Sequence, residues 1–311
     1  MERPAYDKKR STDRNVRCGA DSSSSWISVV RRYASVLAAV MAVGCSSPTA
    51  RVDRLAVHSG LSRSIVLGAP FNHVVYFKAG SPSSQLHVYV EHDGIPWLNR
   101  RTVSSDPTPR DPIMLKLMML DPAPAVYLGR PCYFGLASEP ACEPRWWTSG
   151  RYSERIVDSM AAALIRFLAT RPSSDVVLLG YSGGGTLAVL LAPRLPGTRA
   201  VVTLAGNLDV TAWSAYHHYT PLDESLDPAD RGTPHEDVLE WHFLAAADTN
   251  VPPSIVSRYF ITHPYARSIV IQGFDHSCCW DQIWPGLLAA LNTMLQSRER
   301  LPPPAFDAHG R

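Results

Sequence analysis

The chain has 311 residues, of which 45% are hydrophobic and 19% charged, with a formal net charge of +2. This composition excludes a disordered chain and is typical of a globular protein with a substantial core. The small net charge gives no reason to expect a nucleic-acid partner, and the length allows one large domain or two small ones.

The first 45 residues predict export. Arg31 and Arg32 precede a short apolar run, and small residues lead up to Cys45. A basic pair followed by about a dozen apolar residues is typical of a secretory signal, and the run is shorter than the ~20 residues that a membrane-spanning helix needs. We therefore assign 1–45 as leader and signal, and 46–63 as a linker.

The end of this signal, Ala42-Val43-Gly44-Cys45, resembles a bacterial lipobox, although Ala42 stands where leucine is usual. The resemblance implies cleavage before Cys45 and a lipid on that cysteine, which would attach the protein to a membrane. An ordinary cleaved signal and an uncleaved apolar anchor are the alternatives. By the same resemblance Ser46 favours the outer membrane. We expect an exported protein of the bacterial cell envelope, lipid-anchored or periplasmic.

From residue 64 onward, short apolar runs alternate with helical patterns. The predicted strands are 64–70, 73–79, 86–94, 124–131, 175–182, 199–206, 238–248 and 266–276. The predicted helices are 111–120, 152–172, 183–193, 252–260 and 280–295. This alternation predicts an α/β fold with a mostly parallel central sheet and helices on both faces, and the first two strands predict an antiparallel edge.

These elements define one predicted domain over 64–296. Residues 207–237 are irregular and polar, and they lie where a small cap or lid is expected. The charged, Pro-rich residues 297–311 predict a loose tail.

Cysteine spacing predicts one disulfide. In an exported chain, Cys132 and Cys142 are expected to pair and to close a short loop that contains Gly135 and Pro140. The adjacent residues 278 and 279 would be either one buried and one surface thiol or a vicinal bridge. The sequence has no CxxC pair, so we expect no zinc site.

A G-x-S-x-G pentapeptide, Gly180–Gly184, lies between the buried strand predicted at 175–182 and the helix predicted at 183–193. In this context a serine sits on a sharp turn, and the flanking glycines avoid Cβ clashes. The helix N-terminus also offers backbone N–H groups to an anion. We therefore predict Ser182 as a nucleophile, and the alternative is a glycine-rich turn without chemistry.

A serine hydroxyl needs a base to act as a nucleophile. His276 lies at the end of the last predicted strand, just before the last helix, where that base is expected late in the chain. His217 and His218 fall in the irregular segment and His242 falls inside a strand. His276 is therefore the predicted base.

The acid that orients the base should follow an earlier strand. Asp248 does so and leaves room for one helix and one strand before His276. Asp209, after the preceding strand, is the rival acid, and Asp275, next to the histidine, is the weakest candidate.

A hydrolytic oxyanion hole needs two N–H donors. We expect one from the backbone of Gly183, the residue after the nucleophile. The other should come from the turn after the third strand, His92-Asp93-Gly94, where the sequence leaves Asp93 and Gly94 open. Ordinary Asp-Gly turn chemistry is the alternative explanation of this turn.

The order of these motifs resembles the α/β-hydrolase superfamily over nearly all of 64–296. The resemblance implies Ser182 as nucleophile, Asp248 as acid and His276 as base, and no cofactor or metal. Asp93 departs from the superfamily, because glycine is common at its position. The segments RYSERIVDSM and DHSCCW resemble uncharacterised lipoprotein-type members, from which no substrate follows.

These residues predict a serine hydrolase that cleaves a carboxylic ester or related acyl bond of a small-molecule or lipid-like substrate through an acyl-enzyme. Activity should fall as His276 protonates, below pH ~6–7. An acyltransferase, a haloperoxidase-like enzyme and a non-catalytic envelope binding protein on the same fold are the alternatives. Aromatic residues expected near the site are Trp97, Trp146, Trp147, Trp213, Tyr216, Tyr219 and Trp280.

Overall fold

The computed structural model describes residues 47–81, 83, 85–171, 175–231 and 237–300. The predicted signal and its Cys45 lie outside the described residues, as does most of the predicted tail.

The centre of the fold is an eight-stranded sheet. Its strands in chain order are β1 (Ser62–Leu67), β2 (Asn72–Lys78), β3 (Gln85–Val90), β6 (Ala125–Leu128), β7 (Asp175–Tyr181), β8 (Thr198–Leu204), β9 (Leu239–Ala245) and β10 (Arg267–Ile271). They are arranged in the order β1-β2-β6-β3-β7-β8-β9-β10. A separate two-stranded hairpin consists of β4 (Trp97–Asn99) and β5 (Thr102–Val103).

The pairing confirms the predicted fold class. β1 pairs antiparallel with β2, and β2 pairs antiparallel with β6, whereas the five pairs from β6 to β10 are parallel. Every residue of β3 is buried, and so is every residue of β7 after Asp175. Strands covered on both faces need a largely apolar sequence, which explains why the pattern located them, although β3 also buries the polar Gln85 and His87.

Helices cover the sheet. They are α1 (Pro48–His58), α2 (Ile113–Met119), α3 (Glu154–Leu168), α4 (Gly183–Leu191), α5 (Val210–Tyr216), α6 (Ser257–Thr262) and α7 (Trp280–Arg300). The apolar face predicted for α3 is buried, with Ile156, Val157, Met160, Ala163, Leu164 and Phe167 in the core. Among the described residues, no helix has the length and apolar character needed to cross a membrane.

Regular structure also occurs where the sequence predicted none, as in the β4–β5 hairpin. Within the expected linker 46–63, helix α1 is capped by the Ser47 hydroxyl and buries Val52 and Ala56 against the core. The final helix α7 continues to Arg300, beyond the start of the predicted tail.

The cap segment, the described residues 207–231 of the predicted 207–237, contains the short helix α5 and a 3₁₀ turn at Pro228–Asp230. Asp227 organises this segment, because its carboxylate accepts hydrogen bonds from the backbone of Val210 and Thr211 and pairs with Arg258. Polar side chains therefore stabilise the cap segment, which has no long run of apolar residues at helical spacing.

Both cysteine pairs are bonded. Cys132 and Cys142 form a disulfide with a Cα–Cα distance of 5.6 Å, within the ordinary range. Cys278 and Cys279 form a vicinal bridge, one of the two arrangements left open by the sequence.

Candidate active site

Ser182 occupies the sharp turn between β7 and α4, with φ of 54° and ψ of −122°. A non-glycine residue rarely adopts this backbone conformation. The turn is tight, because a Cβ at Gly180 would lie 2.3 Å from the Gly184 carbonyl oxygen, and one at Gly184 would lie 2.1 Å from the Val90 carbonyl oxygen. The pentapeptide needs its glycines because backbone atoms fill the space around the serine.

A hydrogen-bonded chain joins the three residues predicted for catalysis. Ser182 Oγ lies 3.0 Å from His276 Nε2, and His276 Nδ1 lies 2.8 Å from Asp248 Oδ2. Parallel strands bring their carboxyl ends to one edge of the sheet, so β7, β9 and β10 deliver these residues from distant parts of the chain.

Backbone donors hold the Asp248 carboxylate in place. Its other oxygen, Oδ1, accepts the N–H groups of Asn250 and Val251, each at 2.8 Å. The side chain is fully buried. With Oδ1 accepting two N–H groups, Oδ2 is directed to His276 Nδ1, which must carry a proton to donate. This tautomer leaves a lone pair on His276 Nε2, the nitrogen that faces Ser182 Oγ.

The two rival acids are engaged elsewhere. Asp209 caps α5 through Ala212 N and pairs with Arg258. Asp275 turns away to accept the backbone N–H groups of Ser277 and Cys278. Asp248 is thus the acid that contacts His276.

Two backbone N–H groups of the turn after β3, His92-Asp93-Gly94, have partners. His92 N donates to Glu91 Oε1 at 3.2 Å. Gly94 N donates to His92 Nδ1 at 3.0 Å, so His92 carries its proton on Nε2 and donates to the Asp111 carbonyl oxygen. Gly94 has φ of 67°, and a Cβ there would lie 1.9 Å from the Pro107 carbonyl oxygen. Burial lowers the pKa of His92, which favours the neutral ring that this arrangement requires.

Asp93 is the centre of a buried polar cluster that the sequence did not predict. Its carboxylate lies 2.7 Å from Arg130 Nη2 and 2.9 Å from Arg151 Nη1, and the Tyr152 hydroxyl donates to it at 2.7 Å. The Tyr133 hydroxyl donates to the Asp93 carbonyl oxygen at 2.8 Å. We call Asp93, Arg130, Tyr133, Arg151 and Tyr152 the Asp93 cluster.

The Asp93 cluster carries a net positive charge. Burial would raise the pKa of the Asp93 carboxyl, but Arg130 and Arg151 outweigh it and hold that pKa at about 2. Burial lowers the pKa of each guanidinium, but Asp93, Tyr133 and Tyr152 together raise it by more. Two cations and one anion therefore persist at neutral pH.

This cluster contacts the nucleophile turn. A Cβ at Gly183 would lie 2.2 Å from Asp93 Oδ1 and 2.4 Å from the Tyr152 hydroxyl oxygen. The β3 turn and the start of α4 are thus in direct contact, which is the arrangement in which two backbone donors can face one oxygen atom.

No protein-family model matches the chain, and no curated protein matches it either. Solved structures do resemble it. An esterase from Pyrococcus furiosus is 10% identical, with a TM-score of 0.55, and the match covers 78% of this chain and 93% of the esterase. Proline iminopeptidase from Mycobacterium smegmatis is 13% identical, with a TM-score of 0.53, covering 76% and 99%. A serine hydrolase without a lid, from Xanthomonas campestris, is 13% identical, with a TM-score of 0.51, covering 78% and 97%.

The chain has the α/β-hydrolase fold. The structural matches agree with the sheet order and with the resemblance that the sequence motifs carried. At this level of identity they establish the fold and leave the reaction to be argued from the residues of the site.

Ser182 of this α/β-hydrolase fold opens onto a cavity of about 1110 Å³. Aromatic residues Trp97, Tyr181, Trp213 and Tyr219 line it, together with Arg100, Arg151, His217 and His218. Its size exceeds the few hundred cubic ångströms that small ligands need.

The other aromatic residues expected near the site have different places. Trp146, Trp147 and Trp280 are buried in the core, and the exposed Tyr216 does not line the cavity. Local sequence could not separate these positions, because large aromatic side chains serve equally in cores and in pockets.

Asn250 is a site residue that the sequence analysis missed. It lines the cavity, and its side-chain Nδ2 lies 3.0 Å from His276 Nε2. Its position two residues after Asp248, in a turn that the acid must occupy, was the available signal.

Proposed function

We propose that the protein is a serine hydrolase that cleaves a carboxylic ester or related acyl bond through an acyl-enzyme. The observation that carries this proposal is the unbroken hydrogen-bonded chain from Ser182 Oγ through His276 to Asp248. The strained turn at Ser182 and the cavity in front of it support the same function.

In the proposed reaction, Ser182 Oγ attacks the substrate's carbonyl carbon while His276 Nε2 accepts the hydroxyl proton. The buried Asp248 stabilises the imidazolium that forms. The tetrahedral intermediate then expels the leaving group, which takes the proton from His276. Water attacks the acyl-enzyme in the same way, and the acid product leaves.

We assign the oxyanion donors to the backbone N–H groups of Gly183 and Asp93. We choose Asp93 over Gly94 because Gly94 N already donates a hydrogen bond to His92 Nδ1. The excess positive charge of the Asp93 cluster supports this assignment, since it favours the negative charge that develops on the substrate oxygen.

The cavity supports a substrate with a bulky, partly apolar acyl or alcohol group, small-molecule or lipid-like. Trp97, Trp213 and Tyr219 supply aromatic surface, whereas Arg100 and Arg151 supply polar contacts. Hydrolysis and transfer to another acceptor use the same acyl-enzyme, and only the acceptor that enters the cavity distinguishes them.

The test is hydrolysis of p-nitrophenyl esters of increasing acyl length by the purified protein and by Ser182→Ala, with fluorophosphonate labelling as a substrate-independent readout. We expect labelling of the wild type alone and a loss of at least 10³-fold in kcat for the variant. A folded wild type that is neither labelled nor active on any ester, thioester or amide would contradict the proposal. Acyl transfer to added alcohols at the expense of hydrolysis would identify a transferase.

We also propose that the chain is exported and anchored to the envelope by a lipid on Cys45. The signal-like sequence at 31–45 supports this. The Cys132–Cys142 disulfide supports an oxidising compartment. Incorporation of labelled palmitate that disappears in Cys45→Ala, with the wild type in the membrane fraction, is the expected result. An unlipidated protein whose N-terminus is not residue 45 would overturn it.

A further inference from the structure

Asn250 connects the cap segment to the proposed base. Its backbone carbonyl oxygen accepts a hydrogen bond from His217 Nε2 at 2.7 Å. Its side-chain Oδ1 accepts from Trp213 Nε1 at 3.3 Å, and its side-chain Nδ2 lies 3.0 Å from His276 Nε2. One residue thus contacts two cap residues and the nitrogen that exchanges protons with Ser182.

The orientation of the Asn250 amide follows from its partners. The indole N–H of Trp213 can only donate, so it must face the amide oxygen. The amide nitrogen is therefore the atom that faces His276, and it can only donate. Because His276 Nδ1 donates to Asp248, its Nε2 bears one lone pair, which Asn250 Nδ2 and Ser182 Oγ share at 3.0 Å each.

This contact distinguishes the two protonation states of the ring. A neutral His276 accepts the Asn250 N–H group, whereas an imidazolium presents its own N–H group to that donor. We propose that Asn250 is a positioning residue, held by Trp213 and His217, that keeps His276 neutral and oriented between turnovers. This inference rests on the proposed hydrolase function.

The contact also outlasts acylation. Once Ser182 carries the acyl group, its oxygen has no proton to donate to His276 Nε2. Asn250 then supplies the donor that fixes the ring until the incoming water takes that place. A cap displaced by substrate would release Trp213 from the amide oxygen and free the amide to turn, so that cap position and base strength are linked.

Several charged and titratable groups around His276 influence the balance between its neutral and protonated forms. Facing His276 are Asp248 from the β9 end, Tyr181 and Ser182 from the nucleophile turn, His92 from the β3 turn and Asp275 from its own segment. Asp248 and Asp275 favour the imidazolium, and His92 opposes it when protonated. Asn250 is an uncharged neighbour whose removal leaves all of these in place.

The experiment compares the pH dependence of kcat/KM and of fluorophosphonate labelling in the wild type, Asn250→Ala, Asn250→Asp and Trp213→Phe. The acidic limb is the part of each pH profile in which activity falls as the pH is lowered. Loss of one hydrogen bond to the neutral ring should move this limb up by about 0.4–1 pH unit in Asn250→Ala. The carboxylate of Asn250→Asp should move it up by more than about one unit. Trp213→Phe keeps Asn250 but frees its amide, and should give a smaller shift in the same direction.

Asn292→Ala, at an exposed position of α7, is the matched control and should leave both profiles unchanged. Asn250→Ala should keep the backbone bond to Asp248, so a folded variant is expected. An acidic limb that stays in place in a folded, labelled Asn250→Ala, or that moves down in Asn250→Asp, would overturn this inference alone. Absence of labelling in the wild type would instead overturn the hydrolase function.

Discussion

Replacing Asp93 by asparagine tests the buried cluster beside the nucleophile. The substitution keeps the size of the side chain and its place in the β3 turn, but removes its charge. Arg130 and Arg151 are only 3% and 8% exposed, so both guanidinium groups would remain buried without a counter-charge. We expect Asp93→Asn to be strongly destabilising.

Two independent magnitudes bound the effect. Breaking a buried ion pair by removing one partner destabilises proteins by about 3–5 kcal/mol. The pKa of Asp93, about 2 against an ordinary 3.8, corresponds to about 2 kcal/mol. Because the folded state has the lower pKa, this stability is present above pH 4 and is lost as pH falls through 2. We expect Asp93→Asn to lower the free energy of unfolding by about 2–4 kcal/mol at pH 7.

The assay is urea-induced unfolding of both proteins between pH 2 and pH 7, with kcat measured at pH 7. The difference in free energy should narrow below pH 4, and kcat should fall at least tenfold, because the turn carries a proposed oxyanion donor. Asp111→Asn is the control, since its pair with Lys116 is exposed and should contribute less than about 1 kcal/mol. A loss below 1 kcal/mol for Asp93→Asn, constant with pH, would refute the charge argument.

Three further outcomes are expected. Gly183→Ala places a Cβ 2.2 Å from Asp93 Oδ1, so the β3 turn must move. We expect at least a 10²-fold loss of kcat and reduced thermal stability, and wild-type kinetics would show that the position of the turn is unimportant for catalysis. Removing the disulfide with Cys132→Ala and Cys142→Ala together should lower the free energy of unfolding by about 2–3 kcal/mol in urea, and no change would mean that the loop is held by other contacts. Burial raises the pKa of Glu91 to about 8, so the folded protein holds a proton that the unfolded chain has released, and the free energy of unfolding should fall as pH rises from 4.5 to 8. In thermal melts the wild type should lose stability over this range relative to Glu91→Gln, and parallel pH profiles would contradict this.

The inner strands were predictable because burial on both faces leaves a largely apolar run of residues. The exposed edge strands β1 and β10 and most helices were located instead by short apolar runs and helical periodicity between turn signals. Helix α1 was not, since its apolar positions Val52 and Ala56 follow a signal-like segment, and the stretch is only 11 residues long. The cap segment was predicted as irregular, and its short helix α5 depends on capping by Asp209 and contacts from Asp227. Each helix has a local cap, but the remaining contacts that stabilise it come from residues distant in sequence.

The candidate site likewise contains residues that the sequence could predict and residues that it could not. Ser182, Asp248 and His276 follow strand ends, where local sequence and topology together place them. Arg130 and Arg151 have no local pattern that connects them with Asp93. The three residues meet only when the β3 turn, the residues after β6 and the turn before α3 come together. Asn250 likewise acquires its partner when His276 arrives from the end of β10.

A carboxylate beside the proposed oxyanion hole requires a physical explanation. Asp93 Oδ1 approaches Gly183, and a lone anion there would repel the negative charge of a tetrahedral intermediate. Arg130 and Arg151 reverse the sign of the field, leaving the cluster with one excess positive charge. The carboxylate gives the turn an anchor that a glycine lacks, because it accepts hydrogen bonds from Arg151 and from Tyr152. Asp93 therefore fits this position only together with both arginines. A glycine there would lack the anchoring hydrogen bonds and would not require the arginines as counter-charges.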